Sequence, residues 1–115
     1  MSAYWTNQRT DIGSSQPVPA HTLDGDIVIA TCIAAASQGD VNALFDLGIA
    51  FSTGSHGVSC DLVEAHKWFN LSASRGHEAA QQCRADIADE MSARDIAEAQ
   101  RRARAWLADN ARRAA

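Results

Sequence analysis

Residues Asn42 to Ala80, NALFDLGIAFSTGSHGVSCDLVEAHKWFNLSASRGHEAA, decide the fold. Ala43, Leu47, Ala50, Phe51 and Gly54 recur at helical spacing and place their side chains on one stripe. Gly48 interrupts that stripe, although glycine costs about 1 kcal/mol relative to alanine inside a helix. A glycine kept at that cost marks the close approach of another element. Gly54 ends this helix, and Gly57-Val58 turns the chain so that Val58 closes the top of the pair. Asp61, with Glu64 three residues on, is the capping pattern that opens a second helix. Ala65, Trp68, Phe69 and Ala73 give that helix an apolar face of small residues beside large rings. Gly76 stands where a C-terminal stop is expected. The stretch reads as a helical hairpin whose apolar faces meet.

The same marks recur on either side. Ala35-Ala36-x-x-Gly39-x-x-x-Ala43 is matched by Ser72-Ala73-x-x-Gly76-x-x-x-Ala80, and Asp61-x-x-Glu64-Ala65-x-Lys67 by Asp95-x-x-Glu98-Ala99-x-Arg101. Recurrence at roughly 35 residues is the signature of stacked helix pairs.

On these residues the central stretch resembles a Sel-one-like repeat, a relative of the tetratricopeptide repeat. The first helix of that pattern is matched by Ala43, Leu47-Gly48 and Phe51, and its elbow by Gly54, Gly57 and Val58 with one extra residue. The second helix is matched by Asp61, Ala65, Trp68, Ser72-Ala73 and Gly76. The next unit departs from the pattern, with Arg84-Ala85 in place of leucine-glycine and no glycine elbow. The resemblance implies an all-α fold, a short α-solenoid of antiparallel helix pairs with about five helices. It divides residues 23–115 into a half repeat (24–39), a full repeat (40–76) and a degenerate closing repeat (77–110). It also implies a non-catalytic scaffold or adaptor that binds a protein or peptide on the concave face lined by the first helices. By position, that face takes Asn42, Phe45, Ile49 and Ser52 from one helix and Gln82, Asp86, Asp89 and Glu90 from the next. An apolar patch rimmed by carboxylates suits an apolar and basic partner segment.

Working outward, residues 1–22 are polar and irregular, and Pro17 and Pro19 discourage a helix. They read as a flexible tail whose Tyr4 and Trp5 could dock on an uncovered helix face. From Asp24 to Gln38 the run Ile27-Val28-Ile29 suits a buried strand or a helix equally well. The match at Ala35-Ala36 and Gly39 selects the helix, the second half of a pair whose first half is missing. A fourth helix is expected from about Glu78 to Glu90. Ser92-x-x-Asp95 then caps a fifth from about Ala93 to Asn110, buried along Ile96, Ala99, Ala103 and Trp106-Leu107.

At 115 residues the chain is the size of one small domain. Ten basic and fourteen acidic side chains give a formal net charge of −4, which makes nucleic acid an unlikely partner. The charge is uneven: residues 99–115 hold five arginines and one aspartate. No apolar run is long enough for a membrane span, and the N-terminus lacks a signal-peptide core, so the expected compartment is the cytoplasm. Cys32, Cys60 and Cys83 are odd in number and have neither paired nor metal-like spacing, so three reduced thiols are expected.

The rival constellations are thin. His21, His56, His66 and His77 are scattered, and Cys60 and His66, six apart, do not share a helix face or form a zinc pattern. A thiol-dependent enzyme would have to use Cys60 with a histidine and no evident orienting group. The elbow Gly54-Ser55-His56-Gly57 lacks the lysine and the strand-to-helix context of a phosphate loop. Arg101, Arg102, Arg104, Arg112 and Arg113 read as a solvated face favourable to a helix C-terminus. The other reading is an anion-binding surface on the last helix. No catalytic residue, metal ligand or cofactor is expected. A last expectation concerns Ile27, Ile29 and Ile33, whose uncovered face calls for the tail, a second copy in a homodimer or the true partner.

Overall fold

The computed structural model describes residues 25–114, and among them every regular element is a helix. The chain runs α1 (Gly25–Ser37), α2 (Val41–Thr53), α3 (Leu62–Ala73), α4 (Glu78–Ala88) and α5 (Ala93–Ala114). No helix among these residues is long and apolar enough to cross a membrane. The tail at 1–22, with Tyr4 and Trp5, and Asp24 lie outside the described residues.

The starts of α2, α3, α4 and α5 each have a local cause. Asp40 caps α2 by accepting from the N–H groups of Asn42 and Ala43 at 3.0 and 3.1 Å. Asp61 caps α3 through Val63 and Glu64 at 3.0 and 3.2 Å. These bonds satisfy N–H groups that a helix's first turn cannot pair internally. His77 does the same for α4, its Nδ1 accepting from Ala80 at 3.1 Å. Ser92 caps α5 through Asp95 at 3.0 Å. Asp95 is therefore a first-turn residue rather than the counterpart of the capping Asp61, and α5 begins at Ala93, where the Ser92 cap was expected to start it.

The two matched corners share one backbone geometry. Gly39 and Gly76 both take φ of 93°, a left-handed conformation open to glycine without strain. Before each, the N–H of the glycine returns to Ala36 or Ala73 at 2.9 Å. After each, the capping residue returns its N–H to Ala35 or Ser72. Ala36, Ala43, Ala73 and Ala80, the small residues of the match, are all buried.

The core forms around α3, which contacts α2, α4 and α5. On one side Trp68 and Leu71 pack with Leu44 and Leu47 of α2, Ala36 of α1 and Ala103 of α5. On the other, Phe69 packs with Ala65, Ala73 and Ala80. Gly48 lies against the ring of Phe69: a Cβ there would stand 2.4 Å from Cδ1 and 2.5 Å from Cε1. The close approach anticipated for this glycine is thus to Phe69. Polar ties lock the same neighbours, with the Ser72 hydroxyl donating to the Val41 carbonyl at 3.0 Å and Arg84 donating to Asn70 at 2.7 Å.

Helix α5 lies along α3 by Ala99 and Ala103, with Trp106 edge-on to Trp68 at 5.5 Å between centroids. It then reaches α1, where Asn110 donates to the Ser37 carbonyl at 3.1 Å, an oxygen in the last turn of α1 with no helical partner. The helix continues to Ala114, four residues past the expected end. Arg101, Arg102 and Arg104 consequently sit two turns or more before the C-terminus. The helix-dipole account holds for the last-turn Arg112 and Arg113 alone, because the effect fades beyond one turn.

Candidate functional site

Of the eight positions implied by the resemblance, Phe45 and Ile49 do come together with α4. Both are half-buried and pack, with Cys83 and Ile87 of α4, on the cluster around Phe69. The Phe45 ring does not stand free of the hairpin seam. It lies 5.7 Å from the Phe69 ring and stacks on the His77 imidazole at 4.4 Å and 15°. Ile49 also walls a hollow of about 160 Å³ between α1 and α2, with Val28, Ile29, Cys32 and Asp46. The result is a half-buried apolar seam between α2 and α4.

The polar members frame the seam unequally. Asn42 is exposed in the first turn of α2. Ser52 is half-buried and turned inward, its hydroxyl donating to the Ile49 carbonyl at 3.0 Å. Gln82 and Asp86 are exposed one turn apart and joined at 2.8 Å. Asp89 is the C-terminal cap of α4 and Glu90 lies just beyond the helix, both exposed. Asp46 and Glu78, also exposed, add carboxylates to the same two helices. Asp46, like Ile49, borders the α1–α2 hollow.

A second concavity was not anticipated. Ile33, Phe51, Trp68 and Trp106 line a groove of about 320 Å³ bordered by Glu64, Lys67, Asp109 and Arg113. Lys67 holds its ammonium 4.2 Å from the Trp68 ring centre, a favourable cation–π position. Trp68 is buried and its indole N–H has no hydrogen-bond partner among the described residues.

The charged residues beside this groove form a ladder from α3 to α5. Glu64 receives Lys67 at 3.1 Å and Arg102 at 2.8 Å, while Glu98 receives Arg101 and Arg102, each at 2.7 Å. Hydrogen bonds from Arg101 and then Arg102 hold the Glu98 carboxyl down to about 2. Glu64 therefore does not complete a capping box, and its carboxylate ties α3 to α5. Arg112 pairs with Asp109, and Arg104 and Arg113 are exposed.

The thiols and histidines are placed as follows. Cys60 is exposed in the elbow, its S–H donating to the Ser52 carbonyl at 3.4 Å. Cys32 and Cys83 are half-buried against the two core clusters, and burial pushes both thiols up from their ordinary range. His66 is buried with Nδ1 unpartnered. Burial first, and the Arg84 charge second, push its pKa down. Among the described residues no group of three or more His, Cys, Asp and Glu side chains is arranged to hold a metal ion. No family model, curated protein or solved structure matches the chain.

Proposed function

We propose that this chain is a short helical solenoid acting as a non-catalytic adaptor, and that it captures an apolar, basic peptide segment of a partner protein along the α2–α4 seam. The observation that carries the reading is the seam itself. Phe45, Ile49, Cys83 and Ile87 are half-buried against one core cluster from two helices, and those helices with the turn after α4 also carry the exposed carboxylates Asp46, Asp86, Asp89 and Glu90. Half-buried rings and branched chains gain by losing their remaining contact with water, at roughly 25 cal/mol per Å² of apolar surface. Exposed carboxylates at a rim steer and select a partner of opposite charge more than they add affinity. Together they favour a segment that alternates apolar anchors with lysine or arginine. The Sel-one-like resemblance and the shared geometry of the Gly39 and Gly76 corners support the repeat reading on which the concave face depends.

Selection from a displayed random-peptide library against the purified chain tests it. Enriched sequences should carry both basic and apolar residues, and they should bind more weakly as salt is raised. Affinity should drop about tenfold or more, with the fold unchanged, when Asp86, Asp89 and Glu90 are all replaced by lysine. Selection of acidic peptides, or binding indifferent to the triple replacement, would refute the proposal.

A further inference from the structure

The exposed side of α1 is an apolar face without a covering helix among the described residues, and its residues form an ordered pattern. On a helical wheel Ile33 and Asp26 lie at one edge, Ala30 and Ala34 in the middle, and Ile27 at the other edge, all of them exposed. Ile27 and Ile33 are 53% and 40% exposed, the largest apolar exposures on this helix. A low alanine ridge thus runs between two isoleucines placed at opposite ends and on opposite flanks. Such a face fits its own antiparallel copy. About a two-fold axis at Ala30, the Ile33 of one chain falls at the level of Ile27 of the other but on the opposite flank. The four isoleucines then interleave instead of colliding, and the facing alanines allow close approach of the helices.

The charges agree with that register. Asp26 is exposed at the start of α1, on the Ile33 flank. Arg113, also exposed, shares the tryptophan-lined groove with Ile33. The antiparallel arrangement brings Asp26 of each chain toward Arg113 of the other, giving two symmetric ion pairs. A parallel arrangement would instead set the two Asp26 carboxylates side by side.

From this self-complementarity we infer that α1 is a dimer interface, pairing antiparallel with α1 of a second copy about Ala30, with Asp26 facing Arg113 across it. The inference does not rest on the α2–α4 seam. The contact spans one helix of 13 residues, about 20 Å long. An interface that small belongs to the weak, exchanging class of complexes. The dimer should therefore appear progressively across micromolar to millimolar concentrations.

Sedimentation equilibrium on the full chain is the test. Ala30→Glu sets two carboxylates against each other on the axis and should weaken association about tenfold or more. Asp26→Lys should weaken it less, and Asp26→Lys combined with Arg113→Glu should restore it to near the wild-type constant, because the ion pairs re-form with reversed sign. A chain that stays monomeric at millimolar concentration overturns the inference. If that monomer also melts several degrees lower as Ala30→Glu, the face is covered by the chain's own residues 1–24. A dimer indifferent to Ala30→Glu, or one that the charge exchange fails to restore, places the contact elsewhere and overturns it equally.

Discussion

Gly48 to alanine is the sharpest test of the packing, because two effects of opposite sign meet at one atom. Helix propensity alone predicts that Gly48→Ala stabilises α2 by about 1 kcal/mol. The added Cβ would lie 2.4, 2.5 and 2.9 Å from Cδ1, Cε1 and Cγ of Phe69. Ordinary carbon–carbon contacts are about 3.5–4.0 Å, so ring and helix must part by roughly 1 Å. The ring cannot swing aside. Phe69 is 1% exposed and is hemmed in by Ala65, Ala73, Ala80 and Phe45. Overpacking of this kind costs about 1–3 kcal/mol, and the upper end applies where the ring is held on every side. The net expectation is a loss of about 2 kcal/mol once the propensity gain is deducted. For a domain of this size that lowers the melting temperature by roughly 8–16 °C. Urea and thermal unfolding followed by far-UV circular dichroism read it directly. The partner variant Phe69→Leu removes the obstructing ring, so Gly48→Ala should cost much less in that background, with a coupling of about 1–2 kcal/mol between the sites. A Gly48→Ala chain that melts at or above the wild-type temperature, or additive effects in the double variant, would refute the reasoning.

Two further expectations rest on single contacts. Asp61→Ala removes the acceptor for the Val63 and Glu64 N–H groups and should cost about 1 kcal/mol. Asp61→Asn should retain most of the stability, and equal melting of the two variants would show that the cap contributes little. His66 is held neutral in the fold because burial and Arg84 push its pKa below the ordinary 6.5, while in the unfolded chain it protonates near 6.5. The unfolded state then binds more protons below that pH, so the stability present above it declines as pH falls through this range. The decline of melting temperature on acidification from neutral pH should be shallower in His66→Gln, and parallel curves for the two proteins would refute the assignment.

What could be read from the sequence was whatever depends on residues close together along the chain. Asp40 and Asp61 cap because their own side chains reach N–H groups two and three residues on. Gly39, Gly54 and Gly76 stop helices because each takes a positive φ. The closeness of something to Gly48 was legible from its cost inside a helix, and the identity of Phe69 was not. Gly25 shows the limit more plainly. A Cβ there would lie 2.0 Å from the carbonyl oxygen of His56, so the start of α1 abuts the elbow between α2 and α3. Nothing near Gly25 in the chain announces a contact 31 residues away. His56 itself adopts φ of 56° at this point, a conformation uncommon for a side chain with a Cβ. Gly25 and His56 together therefore read as one backbone-to-backbone corner.

The same division explains the candidate seam and its neighbours. The resemblance placed Phe45 and Ile49 on an open flank of α2, but the angle between α2 and α3 decides whether that flank is open or packed. With Gly48 drawing the helices together, the Phe69 ring extends under that flank and Phe45 closes over it, stacked on His77. Glu64 was misplaced for a related reason. Its spacing from Asp61 is right for a capping box, yet the Asp61 N–H donates to the Phe51 carbonyl at 2.8 Å, and α5 brings Arg102 within 2.8 Å of the Glu64 carboxylate in a charge-assisted bond. That partner is available because α5 runs alongside α3. The helix then continues through Ala111-Arg112-Arg113-Ala114, a run with no glycine or proline to stop it and good intrinsic helix propensity. The added turn carries Arg113 to the groove beside Ile33. One unstopped helix end thus supplies the cation that gives the exposed face of α1 its direction. Without it, Ala30 and its flanking isoleucines would fit a parallel or an antiparallel partner by shape alone.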